Sequence, residues 1–472
     1  MARWLPGRRS RSDLGSSHAL DGAVIGDLDG PTATVDRHGR VGSTDGHWWI
    51  EWGVGAEDRW HVAHEEVAVR QSRVADAPVY ETWMRVPSGD VVQRVASAND
   101  GNGRVIVLEF ENLSAHAVAL AVVGRVAGSA GISADVDVVA IDGIEWIRGE
   151  RPAGGVLAAC GDPWPLVADG PDSGRAESGG PGACGGLVLA LPHRRTVQVQ
   201  VLIEGEFPSR AVTPAEISAG WRTITAGALA IHVPDTDLGQ AWDRILPDLI
   251  VQAGSTDPEA AAEAALVLDV AGLHDEADRA RATVVAAVED GMIRGAAAVA
   301  ALRALASRDL LAGRESGLAE LAGPLAAAAG TALDETTLRH VARALDAVAP
   351  GAAGDARAAA SRAGGVHTPV SAAATAADRV LSRVIAAPDA AVVELLPDVP
   401  EEWRGQPIDV RSCGTANGRV SFSVRWHGAR PALLWERLGG SDAVELRCPG
   451  LDPDWSSFER AGEALLAEPR PG

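Results

Sequence analysis

PDTDLGQAWDRILPDLIVQAGSTDPEAAAEAALVLDV, residues Pro234–Val270, is where the pattern of this chain changes. Upstream, apolar and polar residues alternate with a period of two. Here Leu238, Ala241, Trp242, Ile245 and Leu249 recur every three or four positions and share one helical face. Asp235 or Thr236 offers a side-chain oxygen to cap the start of this first helix. Pro258 opens a second helix, Gly272 ends it, and a third starts near His274. Further helical stretches are predicted over 295–307, 315–329, 335–348 and 369–385, about eight helices in all. They are alanine-rich and joined by short loops, the signature of closely packed helix hairpins. Alanine lets helix axes approach but buries little apolar area per residue.

Working outward, the flanks read as strands. HWWIEWGV, VYETWMRV, RVIVLEFEN, GGLVLALP and TVQVQVLIEG lie upstream, and RVSFSVRWHG and PALLWERL lie downstream. The expected organisation is a disordered tail over 1–17 and an antiparallel β-sandwich over 18–233. A helical hairpin domain over 234–388 and a small C-terminal antiparallel β domain over 389–472 complete it. The Gly-, Pro- and Asp-rich stretch 168–182 is expected to be a long exposed loop. Aromatics follow the same division: between Trp242 and Trp403 there is no Phe, Trp or Tyr.

Composition narrows the function classes. A chain of 472 residues exceeds one core and suits two or three domains. The net charge of −22 argues against nucleic acid and against anionic membrane surfaces. Every basic residue apart from histidine is arginine. MARWLPGRRSRS is basic, but no apolar run follows it as a secretory signal needs, and no stretch is long enough to span a bilayer, so a cytoplasmic location is expected. Cys160, Cys184, Cys413 and Cys448 form no C-x-x-C pair and read as buried thiols.

Three segments carry a family resemblance. Asp21-Gly-Ala-Val-Ile-Gly-Asp27, Thr32-Ala-Thr-Val35 and Asp36-Arg-His-Gly-Arg-Val41 resemble the opening of bacterial glucoamylase- and trehalase-like proteins. Asp235–Arg303, with Ala241-Trp242-Asp243, Ala264-Ala265-Leu266 and Asp290-Gly291, is similar to the first hairpins of an α/α toroid. Leu395-Leu-Pro-Asp-Val-Pro400, Trp403, Gly405 and Val424-Arg-Trp-His427 resemble the β domain that follows the toroid in several six-hairpin glycosidases. The resemblance implies a partial toroid between β domains. It also implies two catalytic glutamates at the toroid mouth, one in a Trp-Glu-x-Arg-like context. No such context exists between Asp243 and Glu402, and Trp435-Glu436-Arg437 falls in predicted strand, so no catalytic residue is carried over.

Read from the residues themselves, glycoside hydrolysis needs two carboxylates whose pKa values are pushed apart. Glu276, Asp278, Glu315 and Asp346 are expected on solvated helix faces, and so is Glu263. Glu289-Asp290-Gly291 reads as a helix stop, with a toroid mouth as the alternative. His61 and His64 would point to opposite faces of one strand, so no metal site is expected. Gly180-Pro-Gly-Ala-Cys-Gly185 matches a dinucleotide fingerprint by letter but lies between a loop and a strand, and no cofactor is expected.

The candidate ligand-binding residues are Trp48, Trp49, Trp52 and Trp60. Trp48, Ile50 and Trp52 would share one strand face, and Trp49 and Glu51 the other. One face must be core; the other could pack internally or stack on a sugar. The expected function is that of a glycosidase-like protein of carbohydrate metabolism that binds a glycan or a protein partner without hydrolysis. An active hydrolase with a shortened toroid and a purely structural scaffold are the alternatives.

Overall fold

The computed structural model describes residues 22–74, 76–348, 371–389, 391–440 and 443–468. The tail expected over 1–17 lies outside them. The chain has mixed α and β content with several largely antiparallel sheets. It divides into two compact units, Pro31–Arg222 with the strand preceding it, and the residues from Thr223 onward.

The first unit is built on two sheets, one of eight strands and one of nine. The strand Trp48–Gly55 lies within the first, paired antiparallel with Val118–Val126. Gly103–Asn112 lies within the second, between Gly89–Asn99 and Thr196–Gly205. Alternation sends Ile50, Trp52 and Leu120 from one sheet, and Ile106, Leu108 and Phe110 from the other, into one core. Trp52 and Phe110 meet there with centroids 5.5 Å apart.

Two helices interrupt the strands and differ from the all-β expectation for this region. They are α1 (Trp164–Asp169) and α2 (Pro214–Thr225). The second has a legible cause. Thr213 Oγ1 accepts from the Glu216 backbone N–H, while Glu216 accepts from the Thr213 N–H, with Pro214 at the first helical position. The stretch 168–182 also differs: Ala176–Pro181 is a strand paired with Ser129–Asp135. Ladder hydrogen bonds come from the backbone, so a segment of small residues can pair without a hydrophobic pattern.

The second unit holds α3 (Thr236–Ala253), α4 (Pro258–Ala271), α5 (His274–Glu289), α6 (Ala296–Ser307), α7 (Leu318–Ala329), α8 (Glu335–Val348) and α9 (Ala372–Val384). Two ends are capped as read: Asp235 accepts from the Leu238 N–H, and Gly272 closes α4 at φ 84°. Asp257, which the sequence reading did not single out, caps α4 ahead of Pro258. Helix α4 packs against α3, α5 and α6, with Ala261, Ala264, Ala265 and Ala271 buried.

The C-terminal strands belong to the same unit. Ala230–His232, read in sequence as the end of the sandwich, pairs antiparallel with Ile408–Thr415 in a five-stranded sheet. A four-stranded sheet completes the unit. Within it Val392–Leu395 runs parallel to Glu445–Cys448, where an antiparallel arrangement was expected. Three of the cysteines are buried, and burial pushes the Cys413 thiol up to about 12. Cys160 is exposed, against expectation.

Trp242 is fully buried, and its Nε1–H donates to the Leu229 carbonyl at 2.7 Å. It ties α3 to the segment preceding the strand Ala230–His232. Large side chains are scarce among these alanines, so Trp242→Ala should destabilise the second unit by about 3–5 kcal/mol. A urea titration followed by far-UV circular dichroism measures this, and a variant that unfolds with the parent would refute it.

Candidate functional site

The strand Trp48–Gly55 divides its aromatics as its period dictates. Trp48 and Trp52 are 4% and 1% exposed, members of the sandwich core, and present no face to a ligand. Trp49 and Glu51 lie on the opposite face, and Trp60, from the adjoining strand Trp60–Val62, is half-buried.

Glu51 organises that second face. Its side chain is 3% exposed. Oε1 accepts from Trp49 Nε1 at 2.7 Å and from Arg125 Nη1 at 3.2 Å, and Oε2 accepts from Trp164 Nε1 at 3.1 Å. His64 Nδ1 stands 3.5 Å from Oε2, and the Arg125 guanidinium lies 5.4 Å from the Trp49 ring centroid. Two indole donors and a cation satisfy the buried carboxylate, and they fix two tryptophan rings in place. Trp164 comes from α1, which the sequence pattern did not show.

His61 and His64 do not lie on one strand. The strand carrying His61 ends at Val62, and His64 lies in the turn beyond it. His61 is held on both nitrogens by carboxylates, Glu66 at Nδ1 and Asp58 at Nε2, each at 2.9 Å. Among the described residues no group of three or more His, Cys, Asp or Glu could hold a metal ion. Gly180–Gly185 spans the turn between Ala176–Pro181, a strand of the nine-stranded sheet, and Ala183–Leu191, a strand of the eight-stranded sheet, with Gly182 at φ 66°.

Two cavities lie among the described residues of the helical section. The first, about 360 Å³, is lined by Asp278, Arg281, Val285, Glu289, Leu305 and Arg308, among others. Asp278 is not the solvated residue its helical position suggested. It is paired with Arg281, with Arg314 at 2.8 Å and with Arg308 at 3.2 Å. Burial opposes ionisation, but hydrogen bonds from Arg281 and Arg314 prevail and hold its carboxyl below the usual range. Glu289 does line this cavity, while Gly291, at φ 66°, closes α5 as a left-handed cap.

The second cavity, about 200 Å³, lies among α4, α6 and α9 and is lined by Glu263, Arg303 and Asp378 together with Ala, Leu and Val side chains. Glu263 was expected at the surface but is 5% exposed, and its Oε2 accepts from the Ser371 N–H at 2.9 Å. One helical turn earlier on α4, burial first, then the charges of Glu263 and Asp257, raise the pKa of Glu259. Glu259 is not among the residues lining either cavity.

His340 on α8 is a further titratable group that sequence reading did not single out. Burial, helped by the charges of Arg303 and Arg343, pushes its pKa down to about 4, and its Nε2 makes no hydrogen bond.

No protein family matches this chain, and no curated protein does. Among solved structures, a bacterial glucoamylase complexed with acarbose aligns over 80% of this chain and 68% of its own length, at 9% identity and a TM-score of 0.47. A GH92 α-mannosidase from Bacteroides thetaiotaomicron aligns over 45% of this chain and 33% of its own, at 10% identity and a TM-score of 0.19. The same mannosidase in complex with mannoimidazole aligns over 68% and 55%, at 9% identity and 0.21.

The histidine gives a pH prediction. A folded-state pKa of about 4, below the ordinary histidine value of 6.5, means the unfolded chain binds more protons between those limits. The stability that neutral His340 contributes is therefore present above pH 6.5 and lost as pH falls toward about 4. Replacing it in His340→Leu should flatten the fall in melting temperature over that window. Melts of parent and variant from pH 7 to pH 4 test this; parallel curves would contradict it.

Proposed function

We propose that this chain is a glycosidase-like protein of carbohydrate metabolism that binds a glycan or a protein partner and does not hydrolyse glycosides. The observation that carries the non-hydrolytic part is the pairing of Asp278. General-acid catalysis of glycoside cleavage needs a carboxyl held protonated near neutral pH. In the larger helical cavity three arginines do the opposite to Asp278. Support for the carbohydrate part comes from the β–α–β order and from the segments Asp21–Val41 and Leu395–Gly405 that resemble glycosidases. A glycan, on this reading, is met in the β-sandwich by the half-buried rings of Trp49, which Glu51 holds, and Trp60, and not by the aromatic-free helices.

One observation favours an active hydrolase as the second reading. Glu259 and Glu263 stand four residues apart on α4, and burial, with the charges of Glu263 and Asp257, raises the pKa of Glu259. The two readings part cleanly in solution. Maltose, trehalose and α-mannosides should release no reducing sugar above a boiled control. Turnover abolished by Glu259→Gln or Glu263→Gln would establish the hydrolase instead. Binding is tested separately on a glycan array, where Trp49→Ala should lose at least about tenfold in affinity, the worth of one or two stacked-ring contacts. Glycan binding that survives Trp49→Ala unchanged would remove these rings from the site.

A further inference from the structure

The strand that carries Trp49 turns to glycine along its outer face, the face away from the sandwich core. Trp49, Glu51, Gly53 and Gly55 alternate along it. Glycine inside a strand forgoes packing and marks a place where another group comes close. Here two indoles take the space. A Cβ at Gly53 would stand 2.8 Å from the Trp164 ring, and one at Gly55 would stand 3.0 Å from the Trp60 ring. Trp60 sits directly across the ladder from Gly55. Trp164 reaches over from α1 and donates its Nε1–H to Glu51. On the other side the partners of Gly53 and Gly55 are Ala121 and Ala119, which keep the neighbouring strand low.

The result is a row of three indoles: Trp49 bonded to Glu51, Trp164 beside Gly53 and Trp60 beside Gly55. From Glu51 to Gly55 the strand rises about 14 Å, in two steps of about 7 Å. All three rings are half-buried, whereas Trp48, Trp52 and Trp146 of the same unit are buried in its core. On their inner side Trp60 and Trp164 rest on a small apolar cluster that includes Val123, Leu157 and Val167. That packing and the bonds to Glu51 fix the rings in place before any ligand arrives, which lowers the cost of binding. Glu51 and Arg125 answer each other, Oε1 lying 3.2 Å from Nη1, so this pair adds no surplus charge to select an acidic or basic sugar.

We propose that this row binds a linear, uncharged glycan chain lying along the strand, at least three sugar units long, with Trp164 as the middle stacking ring between Trp49 and Trp60. The proposal rests on the glycan reading above and specifies its ligand. A monosaccharide or disaccharide is shorter than the row and meets one or two rings; a longer chain meets all three. Each further ring adds a stacking contact to a chain already docked, so affinity climbs with chain length until the row is filled.

Linear cello-, malto-, manno- and xylo-oligosaccharides, from the disaccharide to the hexasaccharide, titrated into the full chain test this. At least one series should bind, with affinity rising about tenfold or more from the disaccharide to the tetrasaccharide. Trp164→Ala should remove most of that rise, whereas loss of a merely structural ring would weaken every length by the same factor. If that variant does not fold, the parent series decides alone. Equal affinity for every length overturns the proposal and leaves the glycan reading standing. A rise that survives in folded Trp164→Ala, with or without a uniform loss at every length, overturns it as well. If no linear series binds, the proposal falls, and the glycan reading falls with it only when branched and charged glycans on an array are left unbound too.

Discussion

The second unit depends on one buried carboxylate. Asp269, near the end of α4, is fully buried. It accepts from Arg281 Nη1 at 2.6 Å, from the Ser307 hydroxyl at 2.7 Å and from His274 Nδ1 at 2.9 Å. Those partners stand on α5, at the end of α6 and at the start of α5. His274 passes the contact on, because its Nε2 lies 2.9 Å from Arg419 Nη2, and Arg419 also donates to the Ser412 hydroxyl. With Nδ1 donating to Asp269 and Nε2 accepting from the guanidinium, the ring is held as a single tautomer. Three helices and a strand of the five-stranded sheet are thus fixed through one side chain.

Such a network has a physical reason in this composition. Alanine supplies helix propensity and close axial approach, but each buried methyl contributes little hydrophobic stabilisation. Packing of this kind specifies register weakly, since one alanine face resembles another. A buried ion pair is a poor source of net stability, yet it heavily penalises any arrangement that leaves a partner alone. Arg281 and Asp269 can satisfy each other in only one alignment of α4 and α5. The network then supplies the specificity that large side chains supply in the sandwich, where Trp48 meets Trp146 and Trp52 meets Phe110.

What the sequence made legible follows the same physics. Helices α3 to α6 were readable because caps and left-handed glycines mark their ends locally: Asp235, Gly272 and Gly291 each act through bonds within a few residues. The face assignment of Trp48 through Trp52 was readable because a strand has a period of two. Helix α2 was readable in principle from Thr213-Pro214 and Glu216, but the strands around it masked the signal. The strand Ala176–Pro181 and the parallel pairing of Val392–Leu395 carry no such local mark, since partners far along the chain determine them.

The candidate sites were the least legible part, and for one reason. A carboxylate's role depends on which cation faces it, and that is a long-range fact. Asp278 and Glu263 occupy similar helical positions in the sequence. One ends between three arginines, and the other is buried beside a cavity with its Oε2 held by the Ser371 N–H. Glu51 reads as an ordinary strand residue until Trp164, over one hundred positions away, brings its indole N–H to within 3.1 Å. In a chain whose cations apart from histidine are all arginine, an acidic residue paired with one of them meets a planar, multi-donor partner that stays charged. Which acids are neutralised in this way decides where chemistry is possible here.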